Sequence, residues 1–296
     1  MDTKTIAVIA TGDMGHAVGR ALIEHGHRAV TCLAGRSGRS RGLAEKAGIE
    51  DLPDLEAVAR EADIFLSILP PTNALDLARE MAGAMTKAGR APVYVDCNAI
   101  SPETAAEVGA IVGAAGAPFI DAGIIGLAPG KAVPRFYVSG DDTAAMEALD
   151  GCGFTVIPMP GGGCQGSAIK MCYAGLTKGT WSLYTVVLLA AERMGVRPML
   201  MEEFAASQAG DLKRMEARLP FVPADAGRWI GEMEEIAKSF RDAGVPGDFH
   251  DGAAEIYRIL ARTPFAAETR ETLDKNRTLE QSLPVFAAHI DKKAAE

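Results

Sequence analysis

The stretch GGGCQGSAIKMCYAGLTKGTWSLYTVVLLAAERMG, residues 161–195, decides how the chain is organised. After its leading glycines, nothing breaks a helix for about 30 residues, a length of roughly 45 Å. We therefore expect an interdomain helix over 164–194, which begins a C-terminal domain (164–296) after an N-terminal domain (1–163). Nearly every face of this helix is apolar, so protein or lipid must surround it. The uncharged run at 179–191 is shorter than the roughly 18 residues of a membrane span, which favours protein.

Composition narrows the class of protein. The chain has 296 residues, a net charge of −9, 48% apolar residues and 23% charged residues. This size allows one large or two ordinary domains. The negative charge argues against a nucleic-acid binder or an anionic-membrane binder, because both need a positive surface. The five cysteines form no CxxC pair, and a strand pattern begins at Thr5, so we expect reduced thiols, no structural zinc, no signal peptide and a cytoplasmic protein.

A glycine turn follows the first strand. The apolar run Thr5–Ala10 is typical of a strand buried on both faces, and a helix pattern begins at His16. Between them, Gly12-Asp13-Met14-Gly15 supplies two glycines of a GxGxxG motif in which Ala10 replaces the first. At a first strand-to-helix turn this motif indicates dinucleotide binding, with the pyrophosphate at the helix N-terminus. The alternative is an ordinary tight turn.

The loop after the second strand, predicted at 28–34, is basic. Its sequence is GRSGRSR at residues 35–41, and no acidic residue occurs between Glu24 and Glu45. An NAD-binding domain usually has an acidic residue here to hold the ribose, whereas a guanidinium can bind a 2′-phosphate with two hydrogen bonds. We therefore expect NADP(H) rather than NAD; the alternative is a solvated basic loop. The candidate residues are Arg36, Ser37, Arg39 and Arg41.

The remaining strands of the N-terminal domain are predicted at 62–69, 93–96, 119–126, 135–139 and 154–157. Their alternation with helices predicts a doubly wound α/β domain with a mostly parallel sheet, a Rossmann fold. Ligands bind at the carboxyl edge of such sheets, which makes Leu69 and Pro70 candidate cofactor contacts. The same reasoning makes Asn98, Ser101 and Gly126 candidate substrate contacts. Ser101 precedes Pro102 and is equally well read as a helix N-cap.

The C-terminal domain is predicted to be entirely helical. No strand pattern occurs past Pro198, and helices are expected at 199–209, 211–219, 226–243 and 251–260. In the third of these, an apolar stripe that includes Trp229 alternates with charged residues expected on a solvated face: Glu232, Glu234, Glu235, Arg241 and Asp242. His250 is either a capping or packing residue or a substrate contact. An all-apolar central helix in a helical domain is usually buried against a second subunit, so we expect a homodimer.

Together these motifs resemble the superfamily of β-hydroxyacid dehydrogenases and 6-phosphogluconate dehydrogenases. The resemblance covers the whole layout and is most specific at residues 12–15, 96–102, 121–126 and 163–170. It implies a Rossmann domain, a long interdomain helix, a dimerising helical domain and a catalytic lysine at Lys170. On an arbitrary core helix, the simpler interpretation of Lys170 is a lysine whose side chain extends to solvent. The C-terminal half resembles a bacterial branch with a C-terminal domain of unknown function.

Three positions depart from the family pattern. Ala174 stands where the family has an asparagine, Asn98 where it has a serine, and Ile125-Gly126-Leu127 where it has Ser-Gly-Gly. Groups that hold the carboxylate of a short 3-hydroxy acid are thus replaced, and a larger, more apolar substrate is expected. The resemblance implies hydride transfer between NADP(H) and a carbonyl or alcohol carbon, with Lys170 as general acid and base. The alternatives are imine reduction and NADP(H) binding without catalysis.

Overall fold

The computed structural model describes residues 3–290, and the chain divides into two compact units between Tyr173 and Ala174. The first unit contains every strand of the described residues. The division falls inside the long helix, whereas the sequence places the domain boundary at residue 163. The physical reason is that the first turns of this helix are hydrogen-bonded to the sheet, at Asp121 and Ile124.

The first unit is an eight-stranded sheet with the order β3-β2-β1-β4-β5-β6-β7-β8. Only the β6–β7 pair is antiparallel, which confirms the predicted doubly wound, mostly parallel fold. The strands are β1 Thr5–Ile9, β2 Arg28–Thr31, β3 Glu50–Asp51, β4 Ile64–Ser67, β5 Val93–Asp96, β6 Phe119–Ile125, β7 Arg135–Ser139 and β8 Thr155–Pro158. The pattern does not predict β3, because its two residues are exposed and acidic.

Helices cover both faces of this sheet. They are α1 Gly15–Glu24, α2 Gly38–Ala47, α3 Leu55–Glu61, α4 Ala74–Ala88, α5 Pro102–Ala114 and α6 Ala144–Glu147. Alternate residues of a strand point to opposite faces, and both faces are apolar here. Ala7 and Ile9 of β1 belong to one buried cluster, while Ile6 and Val8 belong to another. This explains why β1 is a continuous apolar run.

The strand order places a topological switch point beside β1. The chain passes from β1 to β2 and β3 on one side, then returns through β4 to the other side. In open α/β sheets, ligands bind in the crevice at the carboxyl ends of the strands that flank such a point. The glycine turn follows β1, and Leu69 and Pro70 follow β4, so both predicted cofactor segments lie at this crevice.

The helix α7, Gln165–Met194, has 30 residues. Beyond it the described chain is helical, with α8 Arg197–Ser207, α9 Ala209–Arg218, α10 Pro223–Asp242, α11 Asp248–Ala261 and α12 Leu279–Ala288. The sequence pattern does not predict α12, which contains Pro284 and begins with a capping box at Thr278. As predicted, the apolar stripe of α10 is largely buried, with Trp229, Met233 and Ile236 each at most 4% exposed.

One expectation for α10 is wrong. Glu232 does not lie on a solvated face; its side chain is buried and forms an ion pair with Lys178 of α7. Arg228, one turn earlier, also donates to Glu232, at 2.8 Å. The residue spacing resembled an exposed charged face because the partner lysine is 54 positions away in the sequence. A buried carboxylate requires such partners.

Candidate active site at the carboxyl edge of the sheet

The glycine turn meets the requirements of a dinucleotide site. A Cβ atom on Gly15 would lie 2.0 Å from the carbonyl oxygen of Ala10, so the close packing of α1 on β1 needs glycine there. A Cβ atom on Gly12 would meet no protein atom within 4 Å, and its φ is not left-handed. Neither packing nor conformation therefore requires Gly12, and the space beside it suits a ligand that approaches the backbone.

The N-terminus of α1 is suited to an anion. No side chain caps it, its N-cap is Met14, and no acidic residue lies in its first turn. The first amides of a helix are unpaired donors, and the helix dipole favours negative charge at this end. The turn and the helix together can hold a pyrophosphate at the position predicted from Gly12 and Gly15.

The basic loop after β2 is bonded to the glycine turn. Arg39 forms an ion pair with Asp13, and the hydroxyl of Thr11 donates to the carbonyl oxygen of Ser40 at 2.9 Å. Ser37 caps α2, accepting from the Ser40 amide at 3.2 Å. Thr11, which is buried, was not among the residues predicted from the sequence, although a hydroxyl next to a glycine turn is a usable signal.

The arginines of this loop have different surroundings. Arg41 donates to the backbone carbonyl oxygens of Leu33 and Arg36, at 2.6 and 3.3 Å. Among residues 3–290, no hydrogen bond or ion pair engages the Arg36 guanidinium, and Arg36 is half-buried in the loop between β2 and α2. Arg39 and Arg41 therefore shape the loop, and Arg36 is the cation available to a 2′-phosphate.

Asn98 is enclosed in a buried network. Its amide oxygen accepts from the Leu69 amide at 2.7 Å, and its amide nitrogen donates to Ser67 and Asp96, both at 2.8 Å. Burial raises the pKa of Asp96 to about 7, against the opposing effect of the Asn98 hydrogen bonds. The network fixes the segment Leu69–Pro70, so Asn98 supports the cofactor side of the crevice rather than pointing into it.

Two further candidates have structural roles. Ser101 is fully buried and caps α5, accepting from the Thr104 amide at 3.1 Å, as in the capping alternative from the sequence. Gly126, at the end of β6, has a φ of 125°, and a Cβ atom there would lie 3.1 Å from Pro134 Cα. Both conformation and packing therefore require glycine at this position.

Lys170 lies at the carboxyl end of β6. Its ammonium donates to the carbonyl oxygen of Ile124 at 2.6 Å, from the second turn of α7. Asp121 of the same strand is buried and accepts from Ser167 and Ser139. Burial raises the pKa of Asp121, while these hydrogen bonds oppose the rise. Because β6 is parallel to β5 and β4, this end of the strand lies at the same edge as the cofactor segments.

His250 belongs to the second unit. It is 6% exposed, and its Nε2 lies 3.3 Å from the carbonyl oxygen of Gly175. The rings of Phe240 and Phe249 pack against it at 4.7 and 5.1 Å. A Cβ atom on Gly175 would lie 3.2 Å from this Nε2, so the glycine makes room for the imidazole. The surroundings match the packing alternative from the sequence.

Burial of His250 has a consequence for stability. Desolvation lowers the pKa of the imidazole, so the folded protein holds it neutral while the unfolded chain binds a proton near pH 6.5. The contribution of neutral His250 to the free energy of unfolding is therefore fully present above pH 6.5. It is lost as the pH is lowered towards the folded pKa. We expect urea unfolding to show a smaller loss between pH 7.5 and 5.5 for His250→Gln than for wild type. The exposed His25, changed to Gln, is the control, and an unchanged pH slope in His250→Gln would contradict the expectation.

The described residues contain neither a candidate metal site nor a candidate membrane span. No group of three or more His, Cys, Asp or Glu side chains there is arranged to hold a metal ion. In the same residues, no helix has the length and hydropathy needed to cross a membrane.

Comparison with known proteins places these features in context. Residues 5–151 match the NAD-binding domain of 6-phosphogluconate dehydrogenase, and residues 191–260 match a domain of unknown function, DUF1932. Over 175 residues the chain is 28% identical to the mitochondrial 3-hydroxyisobutyrate dehydrogenase of Drosophila melanogaster, covering 57% of this chain and 52% of that protein. The chain spans about half to two thirds of the length of such curated relatives.

Solved structures share the fold. The 3-hydroxyisobutyrate dehydrogenase of Mycobacterium tuberculosis, solved with L-serine, superposes with a TM-score of 0.66 at 19% identity, covering 90% of this chain and 98% of that one. An imine reductase from Bacillus cereus superposes with a TM-score of 0.53 at 17% identity, covering 90% and 96%. The same fold therefore occurs in a 3-hydroxyisobutyrate dehydrogenase and in an imine reductase.

Proposed function

Because the chain belongs to the superfamily of β-hydroxyacid dehydrogenases and 6-phosphogluconate dehydrogenases, we propose that it transfers a hydride between NADP(H) and a carbonyl or alcohol carbon. The observation that carries the proposal is the place of Lys170. Its ammonium lies at the carboxyl end of β6, on the sheet edge that also holds the glycine turn and Leu69–Pro70. A nicotinamide bound at this edge would supply the hydride.

The chemistry of Lys170 follows from its atoms. In reduction, the ammonium polarises the substrate carbonyl and protonates the forming alkoxide; in oxidation, the amine accepts the alcohol proton. General acid–base help of this kind contributes typically 10²–10⁴-fold in rate. The Ile124 carbonyl accepts from this ammonium, and a substrate oxygen would take over that role.

The remaining candidates divide between cofactor and substrate. Gly12, Met14 and Gly15 bring the backbone and the N-terminus of α1 to the pyrophosphate, and Leu69 and Pro70 border the crevice. The Asn98 amide is engaged by Ser67, Asp96 and Leu69, and Ala174 carries no polar group. Few polar groups therefore remain for the carboxylate of a short 3-hydroxy acid, which supports a larger and more apolar substrate.

We assign the 2′-phosphate of NADP to Arg36. Hydrogen bonds to charged groups contribute about 1.5–3 kcal/mol, and each 1.4 kcal/mol is about tenfold in affinity. Arg36→Ala is therefore expected to weaken NADPH binding about 10- to 100-fold and to leave NADH binding unchanged, as measured by tryptophan fluorescence. Arg20, exposed on α1, changed to Ala, is the matched control. Equal weakening of both dinucleotides would refute the assignment.

We also propose a homodimer. Large apolar side chains of the second unit are exposed in the single chain, among them Leu176, Met194 and Met199, which are 73–76% exposed. Burial of such surface by a second copy of this chain would be favourable. We also propose a cytoplasmic location, which fits the five unpaired cysteines. Sedimentation at micromolar concentration measures the oligomeric state, and a monomer there would contradict the proposal.

The activity itself is tested by absorbance at 340 nm. NADP⁺ and NAD⁺ are each paired with short hydroxy acids, larger aryl-bearing alcohols and cyclic amines. Turnover of an alcohol with NADP⁺ that is lost in Lys170→Ala supports the proposal. Turnover of amines alone assigns imine reduction instead, and tight NADPH binding without any turnover favours a binding protein.

A further inference from the structure

The side-chain carboxylate of Asp121 connects the first turn of α7 to the sheet through hydrogen bonds. Asp121 of β6 accepts the backbone amide of Ser167 at 2.7 Å and its hydroxyl at 2.5 Å. It also accepts the hydroxyl of Ser139 at 3.0 Å, and Ser139 in turn accepts the Gly166 amide at 3.0 Å. All three side chains are fully buried. A carboxylate at a helix N-terminus is favoured by the unpaired amides and by the helix dipole.

At this attachment the strand and the helix approach backbone to backbone. A Cβ atom on Gly123 would lie 2.1 Å from the carbonyl oxygen of Gly166. A Cβ atom on Gly166 would lie 2.4 Å from the carbonyl oxygen of Tyr137. No side chain lies between the two backbones at this contact. A shift of the first turn of α7 would therefore move its backbone directly against β6.

The same contact extends to Lys170. The Gly123 Cβ position lies 3.0 Å from the Cβ of Lys170, and the lysine ammonium donates to Ile124 at 2.6 Å. Two attachments therefore join one strand to one helix: Asp121 to Ser167, and Ile124 to Lys170. They are three residues apart on both elements, so the direction of the lysine side chain depends on the first attachment.

We propose that Asp121 is a positioning residue, which holds Ser167 and thereby fixes where α7 presents the Lys170 ammonium. Its effect on turnover rests on the proposed function of Lys170, whereas its effect on the lysine's surroundings does not. The Asp121 carboxylate accepts from three donors: the Ser139 hydroxyl, the Ser167 amide and the Ser167 hydroxyl. An asparagine amide would turn a donor towards another donor, so Asp121→Asn breaks at least one bond at nearly unchanged volume.

The first experiment needs no substrate. Native protein is treated with limiting acetic anhydride, and the acetylation rate of Lys170 relative to the exposed Lys213 is measured by peptide mass spectrometry. We expect a change of at least threefold in Asp121→Asn. The control is Asp142→Asn, which removes an exposed carboxylate that accepts the Ala144 amide at the start of α6. A wild-type labelling ratio in folded Asp121→Asn would overturn the inference.

A second variant covers a failure of Asp121→Asn to fold. Ser167→Ala deletes only one hydroxyl donor to Asp121 and is expected to change the Lys170 labelling ratio in the same direction. Ser167→Thr retains the hydroxyl and is expected to restore the wild-type ratio. Equal labelling ratios in Ser167→Ala and wild type would also overturn the inference.

The kinetic test separates this inference from the proposed function. In the wild-type background, Asp121→Asn should lower kcat at least tenfold and leave the KM for NADPH within twofold. In a Lys170→Ala background, the same substitution should lower kcat by less than twofold. An equal loss in both backgrounds means a general structural effect and refutes the positioning role. If Lys170→Ala itself retains turnover, the proposed function fails, and the labelling ratio still decides the role of Asp121.

Discussion

Lys170→Ala is expected to lower kcat by about 10²–10⁴-fold, the typical contribution of general acid–base catalysis. The side chain lies at the carboxyl end of β6, where its ammonium donates to the Ile124 carbonyl, and in the proposed reaction it would donate to the substrate oxygen. Binding of the dinucleotide should be unaffected, because the candidate cofactor residues belong to the loops after β1, β2 and β4. The measurement is kcat for the best alcohol of the screen, with NADPH affinity determined in parallel.

The matched control is Lys213→Ala, which removes an exposed lysine from another helix, α9. Lys213→Ala should retain wild-type kcat. Turnover of Lys170→Ala within threefold of wild type would show that another group moves the proton. A parallel fall in NADPH affinity would show that the substitution disturbs the cofactor site rather than the chemical step.

The second large effect concerns stability. Glu232→Gln is expected to lower the free energy of unfolding by about 3–5 kcal/mol, because it leaves the buried Lys178 ammonium without its carboxylate partner. The two side chains are 12% and 2% exposed, and Lys178 also lies 5.6 Å from the centre of the Trp229 ring. Urea unfolding followed by tryptophan fluorescence measures the change.

An exposed ion pair of the same unit provides the comparison. Arg258 and Glu255 are 38% and 69% exposed, so Glu255→Gln should cost under about 1 kcal/mol. The double variant Lys178→Met with Glu232→Gln should regain part of the loss, since no buried ammonium remains at position 178. Similar losses for Glu232→Gln and Glu255→Gln would mean that burial of the Lys178–Glu232 pair carries no special energetic weight.

Runs of apolar residues in the sequence predicted most strands of the sheet, because a strand that is buried on both faces is apolar at every position. Residues 6–9 of β1 show this directly. The two-residue edge strand β3 carries no such pattern, being exposed and acidic. The long helix was predictable for a similar reason, since no glycine turn, proline or charge cluster interrupts it before Gly195.

The site was predictable where its residues are neighbours in the sequence and unpredictable where they are not. The glycine turn and the basic loop are contiguous motifs, whereas Asp121 and Ser167 meet across 46 positions. Glu232 was misread for the same reason: its partner, Lys178, comes from a different helix. Asn98 was identified, but its full engagement by Ser67, Asp96 and Leu69 depends on two strand ends, those of β4 and β5, which the sheet brings together.

The bonds between the glycine turn and the basic loop have a consequence for protein engineering. Arg39 with Asp13 and Thr11 with Ser40 join the two loops into one module, and within residues 3–290 the Arg36 side chain takes part in neither bond. A library that randomises the whole loop to change the bound dinucleotide would also break the bonds that Arg39 and Ser40 make to the glycine turn. If Arg36 binds the 2′-phosphate as proposed, redesign confined to position 36 would exchange the cofactor preference by one substitution and keep both of these bonds.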